Sequence, residues 1–571
     1  MTSIEQIKNE IKSPGLTSGT GKIQRLAIEL PKRFSVLAYK HAMPYLWVAF
    51  VGGTGTGKST LFNALCGRQL SETGVERPKT GGPIAYAHKS IRIEENFPFD
   101  IIQIDRRSSE DLQSLPSTGT PGRLILLAHS RNDWTHLILI DTPDLDSVEL
   151  ENRHITEELS LMSDAIVFVT SEEKYADEVP SLFLKSVIEE NKPYYLIFNK
   201  VQERFSRDDL IETYLGHNLP FDRDRIWILS YEPSNTMQRI GEQSSFQDFM
   251  LTFLQELSTV KLDSLRKTQF ANDVQNLKSR LDDLLCLLEE ENQECQNWFH
   301  QLNDFHQKIC QELIKDEKAR FMAKSQEYLQ IEIRNLFSRY DVLAGPRQFI
   351  REIFSIPLRL LGIRKKHTGK SQKNDLMKVM RKTDLAPLQR AIDKLNRLVF
   401  KNLSPEDERS PIFKKLREPE VVLKDDEIRE RIFLAQERLA LWMEKTFMEL
   451  SRGIPKSKQL GIYSTSILWG IMVVSFEIVV GGGFSVLDAA LDSVLAPFIT
   501  KGAVELFAYV EIQKIAQELA KRYQEGLLSV LHLQRDRYEN CLRSLMTTNE
   551  TMETLKGVDS EIDTLVSPLN L

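Results

Sequence analysis

Between residues 46 and 260, short apolar runs alternate with longer charged segments of helical character. The run Leu46–Val51 is apolar and partly β-branched, as expected of a buried strand, and comparable runs follow it along the chain. Strands separated by helices form βαβ units, so this alternation predicts a mainly parallel sheet. The later predicted strands are His136–Asp141, Ala165–Thr170, Tyr194–Asn199 and Arg225–Ser230.

The connection over residues 88–135 is longer than most loops of compact domains. It contains two further runs with strand character, Ile101–Ile104 and Arg123–Ala128, on either side of a turn rich in Ser, Pro and Gly. We therefore expect an antiparallel extension of the sheet in this part of the chain.

From about residue 262 the period changes, and apolar positions recur at steps of three and four. Such a heptad seam predicts a long helix that packs against others, and we expect it to continue to Tyr340. Further helices are predicted over roughly 373–402, 423–452 and 502–550. The seam consists of Val274, Leu277, Leu281, Leu284, Leu288, Cys295, Trp298, Leu302, Phe305 and Ile309, with Glu291 in its one gap.

A glycine-rich loop follows the first predicted strand, with the sequence GGTGTGKST over residues 52–60. It fits the pattern G-x-x-x-x-G-K-[ST] through Gly52, Gly57, Lys58 and Ser59, and a helix can begin directly after it. In this context the loop N–H groups and the helix N-terminus bind phosphate, Lys58 reaches the β- and γ-phosphates, and the Ser59 hydroxyl binds Mg²⁺. The predicted nucleotide-binding residues here are Gly53, Thr54, Gly55, Thr56, Gly57, Lys58, Ser59 and Thr60.

A second signal is Asp141, at the end of the strand that begins at His136. An Asp at the carboxyl end of a parallel strand beside the phosphate loop can hold Mg²⁺ through water. The chain is therefore predicted to consist of an N-terminal helical segment (1–45) that packs on a bundle, an α/β P-loop NTPase domain (46–260) and a long all-α bundle or stalk (261–571).

The order of five short motifs resembles the nucleotide-binding motifs of GTPases, and is most similar to the dynamin-like branch of large GTPases. The motifs are GGTGTGKS, RPKTGGP (Arg77–Pro83), DTPD, NKVQ and LSY (Leu229–Tyr231), all within residues 52–231. The resemblance implies GTP as the substrate and Mg²⁺ as the cofactor. It also implies a threonine that closes over the metal and the γ-phosphate, and Thr80 is at the matching position.

By this resemblance the metal ligands are Ser59, Thr80 and Asp141, and the base side of the site is formed by Asn199, Lys200, Gln202 and Ser230. Gln202 departs from the family, which has Asp there to accept two hydrogen bonds from guanine. A Gln amide offers one acceptor oxygen and two donor hydrogens, which could match adenine instead. Glu203 could supply the carboxylate in a shifted turn, so GTP and ATP both remain open as substrates.

Asp144 is a second departure, because the pattern DxxG has a glycine whose N–H contacts the γ-phosphate. A carboxylate there would repel the phosphate unless it points away. Leu145 replaces the water-orienting Gln of many small GTPases, and Thr54 is a matching polar loop residue that could contact the attacking water. The implied catalytic residues are thus Lys58, Thr80 and Thr54, with slow hydrolysis that needs dimerisation or a partner. We interpret Asp146 as a residue of a solvated turn.

Two stretches of the helical half suggest contact with a membrane. Residues 459–487 contain an uncharged run of 18 residues and three consecutive glycines, which suits a hairpin that dips into one leaflet. Residues 359–382 carry nine Lys or Arg against one Asp, which suits an anionic surface. The alternatives are a buried helix pair for the first stretch and a solvated loop for the second.

Composition narrows the class of protein. The chain has 571 residues and a net charge of −7, which argues against a generic nucleic-acid binder. Its five cysteines are scattered without a CxxC pair, and its N-terminus lacks a signal-peptide core, so we expect a cytoplasmic protein that contacts membranes only peripherally. We expect self-association through the GTPase domain and the stalk. The alternative is a nucleotide-gated scaffold without membrane activity.

Overall fold

A computed structural model describes residues 3–73, 81–108, 122–146, 150–171, 178–202, 208, 222–231, 236–339, 385–452 and 504–566. The chain forms two compact units. The first comprises Met1–Ile11, Gly21–Leu288 and Thr547–Leu571, and the second comprises Lys12–Thr20 and Glu289–Met546. This division differs from the sequence-based boundaries at residues 45 and 260, which stay a prediction.

The first unit is built on an eight-stranded sheet with the order β3-β4-β2-β5-β1-β6-β7-β8. Every neighbouring pair is parallel except β2 and β5, so the predicted α/β class with a mainly parallel sheet is confirmed. The strands are β1 (Leu46–Gly52), β2 (Ile84–His88), β3 (Gln103–Ser108), β4 (Arg123–His129), β5 (Leu137–Asp141), β6 (Ala165–Ser171), β7 (Tyr194–Val201) and β8 (Ile226–Ser230).

The extension of the sheet is a block of three strands, in which β3, β4 and β2 are parallel to one another. The block runs antiparallel to the other five strands and joins them where β2 pairs with β5. The sequence analysis missed β2, and it placed β3 too early, since that strand begins at Gln103 and not at Ile101. The charged residues of β3 are typical of a sheet edge, which an apolar pattern does not detect.

Helices cover both faces of the sheet, because successive side chains of the buried strands point to opposite faces. In β1, Val48 and Phe50 pack in one core cluster, whereas Ala49 and Val51 pack in another. The helices of the first unit are α1 (Ser3–Ile7), α2 (Thr20–Ala42), α3 (Lys58–Cys66), α4 (Leu150–Met162), α5 (Glu178–Glu189), α6 (Met237–Glu242), α7 (Ser244–Glu256), the beginning of α8 (Leu262–Arg339), and α13 (Asn549–Val566).

A separate apolar cluster of the first unit joins α1, α2, α13 and the part of α8 before residue 289. The predicted seam residues of α8 are buried there, namely Leu277, Leu281, Leu284 and Leu288. The N-terminal helix α2 is thus packed on other helices through residues such as Leu30 and Phe34.

The second unit is helical, and its core is formed by later seam residues of α8 together with four further helices. Trp298 is buried in that core, and its Nε1 donates to the carbonyl oxygen of Leu403 at 2.9 Å. The predicted helix over 502–550 ends at Arg543, and the short helix that begins at Pro411 was not predicted. The helices are α9 (Ala386–Asn402), α10 (Pro411–Leu416), α11 (Asp425–Arg452) and α12 (Val504–Arg543).

The gap in the seam has a structural use, because Glu291 is buried and its carboxylate fixes the segment that precedes α2. Its oxygens accept the N–H groups of Gly15 at 2.6 Å, Leu16 at 2.7 Å and Thr17 at 3.0 Å, as well as the Thr17 hydroxyl at 2.5 Å. Without this carboxylate, three N–H groups and one hydroxyl would lose this acceptor.

The two candidate membrane stretches, 459–487 and 359–382, lie outside the described residues. Within the described part of the chain, none of the helices combines the length and the apolar character that crossing a bilayer requires.

Candidate functional site

The glycine-rich loop lies between the end of β1 at Gly52 and the start of α3 at Lys58. Gly57 has a φ of +90°, a backbone conformation that favours glycine. A Cβ atom on Gly57 would also lie 2.2 Å from the Nδ2 atom of Asn199. The chain can therefore make this turn only with glycine, and the turn points the first residues of α3 toward the carboxyl edge of the sheet.

Lys58 is the first residue of α3, and its side chain is buried among carboxylates. The ammonium nitrogen lies 3.2 Å from Oδ1 of Asp144 and 3.6 Å from Oδ1 of Asp141. Burial alone would lower the pKa of Lys58, but the two carboxylates outweigh burial and raise the pKa above its ordinary value. Lys58 is therefore a fixed positive charge at the mouth of the loop.

Asp141 ends β5 beside the loop, since β5 is parallel to β1 with Asp141 opposite Phe50. Its Oδ2 atom accepts the Ser71 hydroxyl at 2.7 Å, and its Oδ1 atom is buried and has no hydrogen-bond partner among the described residues. A carboxylate oxygen of this kind suits a hard cation, so the residues present fit Mg²⁺. No sequence motif signalled Ser71, which is held in place by the side chain of Asn63.

The segment after β5 lies against the glycine-rich loop. The Leu145 N–H donates to the Gly52 carbonyl oxygen at 3.1 Å, and the Leu145 side chain is buried in the core. Oδ1 of Asp146 accepts both the backbone N–H and the hydroxyl of Thr54, each at 2.7 Å. The interpretation of Asp146 as a solvated turn residue is therefore wrong. Asp144 also does not point away, because its carboxylate contacts Lys58.

Two residues of β7, which lies on the opposite side of β1 from β5, contact the glycine-rich loop. Asn199 Nδ2 donates to the Thr56 carbonyl oxygen at 2.8 Å, and Lys200 Nζ donates to the Gly55 carbonyl oxygen at 2.7 Å. Lys200 has a φ of +60°, where non-glycine residues are uncommon, and the pairing of β7 with β8 is irregular at this point. This strained backbone aims the Lys200 side chain at the loop.

The remaining predicted site residues are less closely connected to the loop. Gln202 directly follows β7 and is exposed, and Ser230 ends β8 with its N–H donated to Oε1 of Gln243 at 3.0 Å. Thr60 lies half-buried in the first turn of α3. Thr80 and Glu203 lie outside the described residues, so their roles stay predictions.

Comparison with known proteins gives this site a context. Residues 48–201 match the family model described as the Dynamin family. An uncharacterized protein in the xynA 3′ region of Caldicellulosiruptor sp. (strain Rt8B.4) is 25% identical over 207 residues. That match covers 34% of this chain and 47% of the relative, so this chain spans about half the length of the curated relative.

Two solved structures are also similar, both described as an oligomerised bacterial dynamin pair that provides a mechanism for the long-range sensing and tethering of membranes. They are 18% and 17% identical, and each match covers 70% of this chain and 72% of that chain. The TM-scores are 0.27 and 0.26, and scores of this size carry no argument about function or assembly.

Proposed function

We propose, from the match of residues 48–201 to the Dynamin family model, that this chain is a dynamin-like protein that binds GTP and hydrolyses it with Mg²⁺. The observation that carries the proposal is the convergence at one sheet edge. There the buried Lys58 ammonium, the start of α3 and the Asp141 carboxylate meet beside a glycine-rich loop. This is the arrangement that binds the phosphates and the metal of a nucleoside triphosphate.

In this proposal Lys58 and the loop N–H groups hold the phosphates. Mg²⁺ would be held by the hydroxyls of Ser59 and Thr80 directly, and by Asp141 through water, and it would neutralise charge on the β- and γ-phosphates. The Oδ1 atom of Asp141 supports this assignment, because it faces the Lys58 ammonium at 3.6 Å and has no hydrogen-bond partner among the described residues. Thr54 would contact the attacking water once its hydroxyl leaves Asp146.

The base is proposed to lie beyond β7, where Asn199 and Lys200 brace the loop. Gln202 is exposed next to them, and we propose that its amide contacts the edge of the base. A Gln amide does not reproduce the two acceptors that guanine needs, which keeps ATP as the competing substrate. GTP is the substrate that the family match favours.

Hydrolysis is proposed to be slow in a single copy. The position after Asp144 carries Leu145, whose side chain is buried in the core and cannot orient water. Additional charge stabilisation must then come from a second copy or another partner, as in GTPases activated in trans. We propose that this dependence couples the nucleotide state to self-association of the GTPase domain and the stalk.

The test is affinity and turnover with GTP and ATP over a range of protein concentrations. We expect tighter binding of GTP, with a rate per copy that rises with concentration. Lys58→Ala should weaken GTP binding by at least about hundredfold, or about 2.7 kcal/mol, because it removes a charge-assisted contact. Lys89→Ala is the control, because Lys89 is exposed on the same unit. Equal affinity in Lys58→Ala and Lys89→Ala would contradict the assignment.

We further propose a peripheral membrane contact through the basic stretch 359–382 and the uncharged stretch 459–487. Co-sedimentation with anionic liposomes should be salt-sensitive and should be lost when Arg364, Lys365 and Lys366 are changed to Gln. Retention of the wild-type protein in the supernatant at low salt would favour the scaffold alternative, in which nucleotide gates a protein contact.

A further inference from the structure

Two carboxylates of the segment after β5 make contacts with the groups that the proposed function assigns to phosphate. Asp144 lies 3.2 Å from the Lys58 ammonium, and Asp146 accepts the N–H and the hydroxyl of Thr54 at 2.7 Å each. A carboxylate and a phosphate oxygen compete for the same donors, and they repel each other at close range. The two sets of contacts therefore exclude each other.

The sheet order indicates which phosphate competes. Asn199 and Lys200, which brace the base side, end β7, and β7 lies on the opposite side of β1 from β5. A nucleotide with its base at β7 must extend its phosphates across the loop after β1 toward β5. Its outermost phosphate then reaches the edge where Asp144 and Asp146 lie, whereas the inner phosphates stay with the loop.

We propose that Asp144 and Asp146 are built-in competitors of the γ-phosphate, and that they determine how strongly the protein distinguishes GTP from GDP. The inference rests on the proposed function. In this conformation, Asp144 contacts the Lys58 ammonium and Asp146 accepts the N–H and the hydroxyl of Thr54, so these donors are already occupied. Binding of a triphosphate requires both side chains to turn away, whereas a diphosphate leaves them in place.

The surroundings favour a local rearrangement of these two side chains. Leu145 lies between them and is anchored by its buried side chain and by its N–H bond to Gly52. The Asp144 side chain is 17% exposed, so it has room to rotate toward solvent while the backbone stays fixed. The segment can thus release Lys58 without leaving the sheet edge.

The experiment measures the affinities for GDP and for a non-hydrolysable GTP analogue with Mg²⁺. It uses the full chain as wild type and as Asp144→Asn, Asp146→Asn and the double variant. We expect each single variant to bind the analogue about tenfold more tightly, because the competing state costs less, with the GDP affinity changed by less than about twofold. Asp100→Asn is the matched control, because it removes the charge of an exposed Asp on the same unit.

Asp144→Ala and Asp146→Ala should shift the ratio of the two affinities in the same direction, which separates loss of charge from an effect of the new amide. Melting curves verify folding. A ratio equal to that of Asp100→Asn, or weaker binding of the analogue, overturns the inference while leaving GTP binding intact. Failure of the wild type and of Asp100→Asn to bind either nucleotide overturns the proposed function, and the inference with it.

Discussion

The two compact units use their buried polar groups differently. In the first unit, one group of buried charges lies at a sheet edge, where Lys58 contacts two carboxylates. In the second unit, the buried polar groups tie elements together. Glu291 holds a loop, Gln534 exchanges hydrogen bonds with the backbone of Leu423 and Val421, and Tyr538 donates to Asn396.

The carboxylates of the two units differ in how much of their hydrogen-bonding capacity is used within the protein. The carboxylate of Glu291 accepts four hydrogen bonds from the chain, so its acceptor capacity serves the fold. Within the described part of the chain, Oδ1 of Asp141 is buried and accepts no hydrogen bond, so it retains capacity for a ligand. Substitutions in the second unit should therefore change stability, whereas those at the sheet edge should change binding.

The largest expected effect is on the second unit. Glu291→Leu should cost about 4 kcal/mol of unfolding free energy, because it removes the acceptor of one buried and two partly buried N–H groups and supplies no replacement. Urea unfolding followed by hydrogen exchange of peptides from α8 measures the loss. Gln293→Leu, an exposed position on the same helix, should change stability by less than about 0.5 kcal/mol. Equal losses of unfolding free energy in the two variants would contradict a structural role of the Glu291 carboxylate.

Lys40→Met tests whether the first unit also contains purely structural charges. The Lys40 ammonium lies 2.7 Å from carboxylates of both Asp164 and Asp273. Burial opposes the charge, but these carboxylates outweigh it and raise the pKa of Lys40. Removing it should cost about 3 kcal/mol, measured by urea unfolding, because two carboxylates lose their partner. Lys22→Met breaks an exposed pair and should cost at most about 1 kcal/mol.

Gly57→Ala sharpens the binding side of the comparison. The new Cβ would meet Asn199 at 2.2 Å, so the phosphate loop must deform, and GTP affinity should fall about hundredfold or more by titration. Gly67→Ala is a matched control, because Gly67 also has a positive φ, of +71°, but no atom within 4 Å of the added Cβ. It should cost stability only, and an equal loss of affinity there would refute the steric explanation.

Two tryptophans provide a smaller contrast. Trp298 donates to the Leu403 carbonyl in the second unit, whereas the buried Nε1 of Trp47 in the first unit is without a hydrogen-bond partner in the described residues. Trp298→Phe should therefore be about 2 kcal/mol more destabilising than Trp47→Phe in urea unfolding. If Trp47→Phe proved the more costly substitution, packing rather than hydrogen bonding would decide stability here.

The smallest expected effect is on the pH dependence of stability, and it involves one buried histidine in each unit. Burial lowers the pKa of His129 in the first unit and of His306 in the second, each from 6.5 to about 4. Well above pH 6.5 both side chains are neutral in the folded and in the unfolded chain. As pH falls toward 4, the unfolded chain binds protons that the folded chain does not, so stability falls with pH.

Between pH 7 and pH 5.5 each histidine should cost the folded state about 1 kcal/mol. His129→Gln and His306→Gln should each flatten the dependence of the melting temperature on pH. Two exposed histidines, His154→Gln and His300→Gln, serve as controls that should leave the slope unchanged. A slope that none of the four substitutions alters would contradict the burial argument.

The elements found from the sequence are those whose signal is local. The phosphate loop has a fixed spacing between a strand and a helix, and β1, β5, β6, β7 and β8 are apolar runs. The seam of α8 was likewise visible, because a period persists over many turns. The mainly parallel sheet and the long helix could be predicted because both rest on such regular patterns.

The missed features depend on distant parts of the chain. The position and orientation of β2 follow from its pairing with β5 and β4, which are distant along the chain. Ser71 reaches Asp141 because Asn63 folds the chain after α3, and Asp146 reaches Thr54 because Leu145 anchors the intervening turn. Such contacts depend on tertiary approach, for which no spacing along one segment is diagnostic.

One consequence follows from the reversed strand β2. Its first residue, Ile84, lies opposite Asp141, and Ser71 on the other side of the intervening segment donates to the same carboxylate. The described residues on either side of segment 74–80 therefore both contact Asp141, Ser71 through the carboxylate and Ile84 through strand pairing. This double anchoring fixes the position of the carboxylate that the proposed function assigns to the metal.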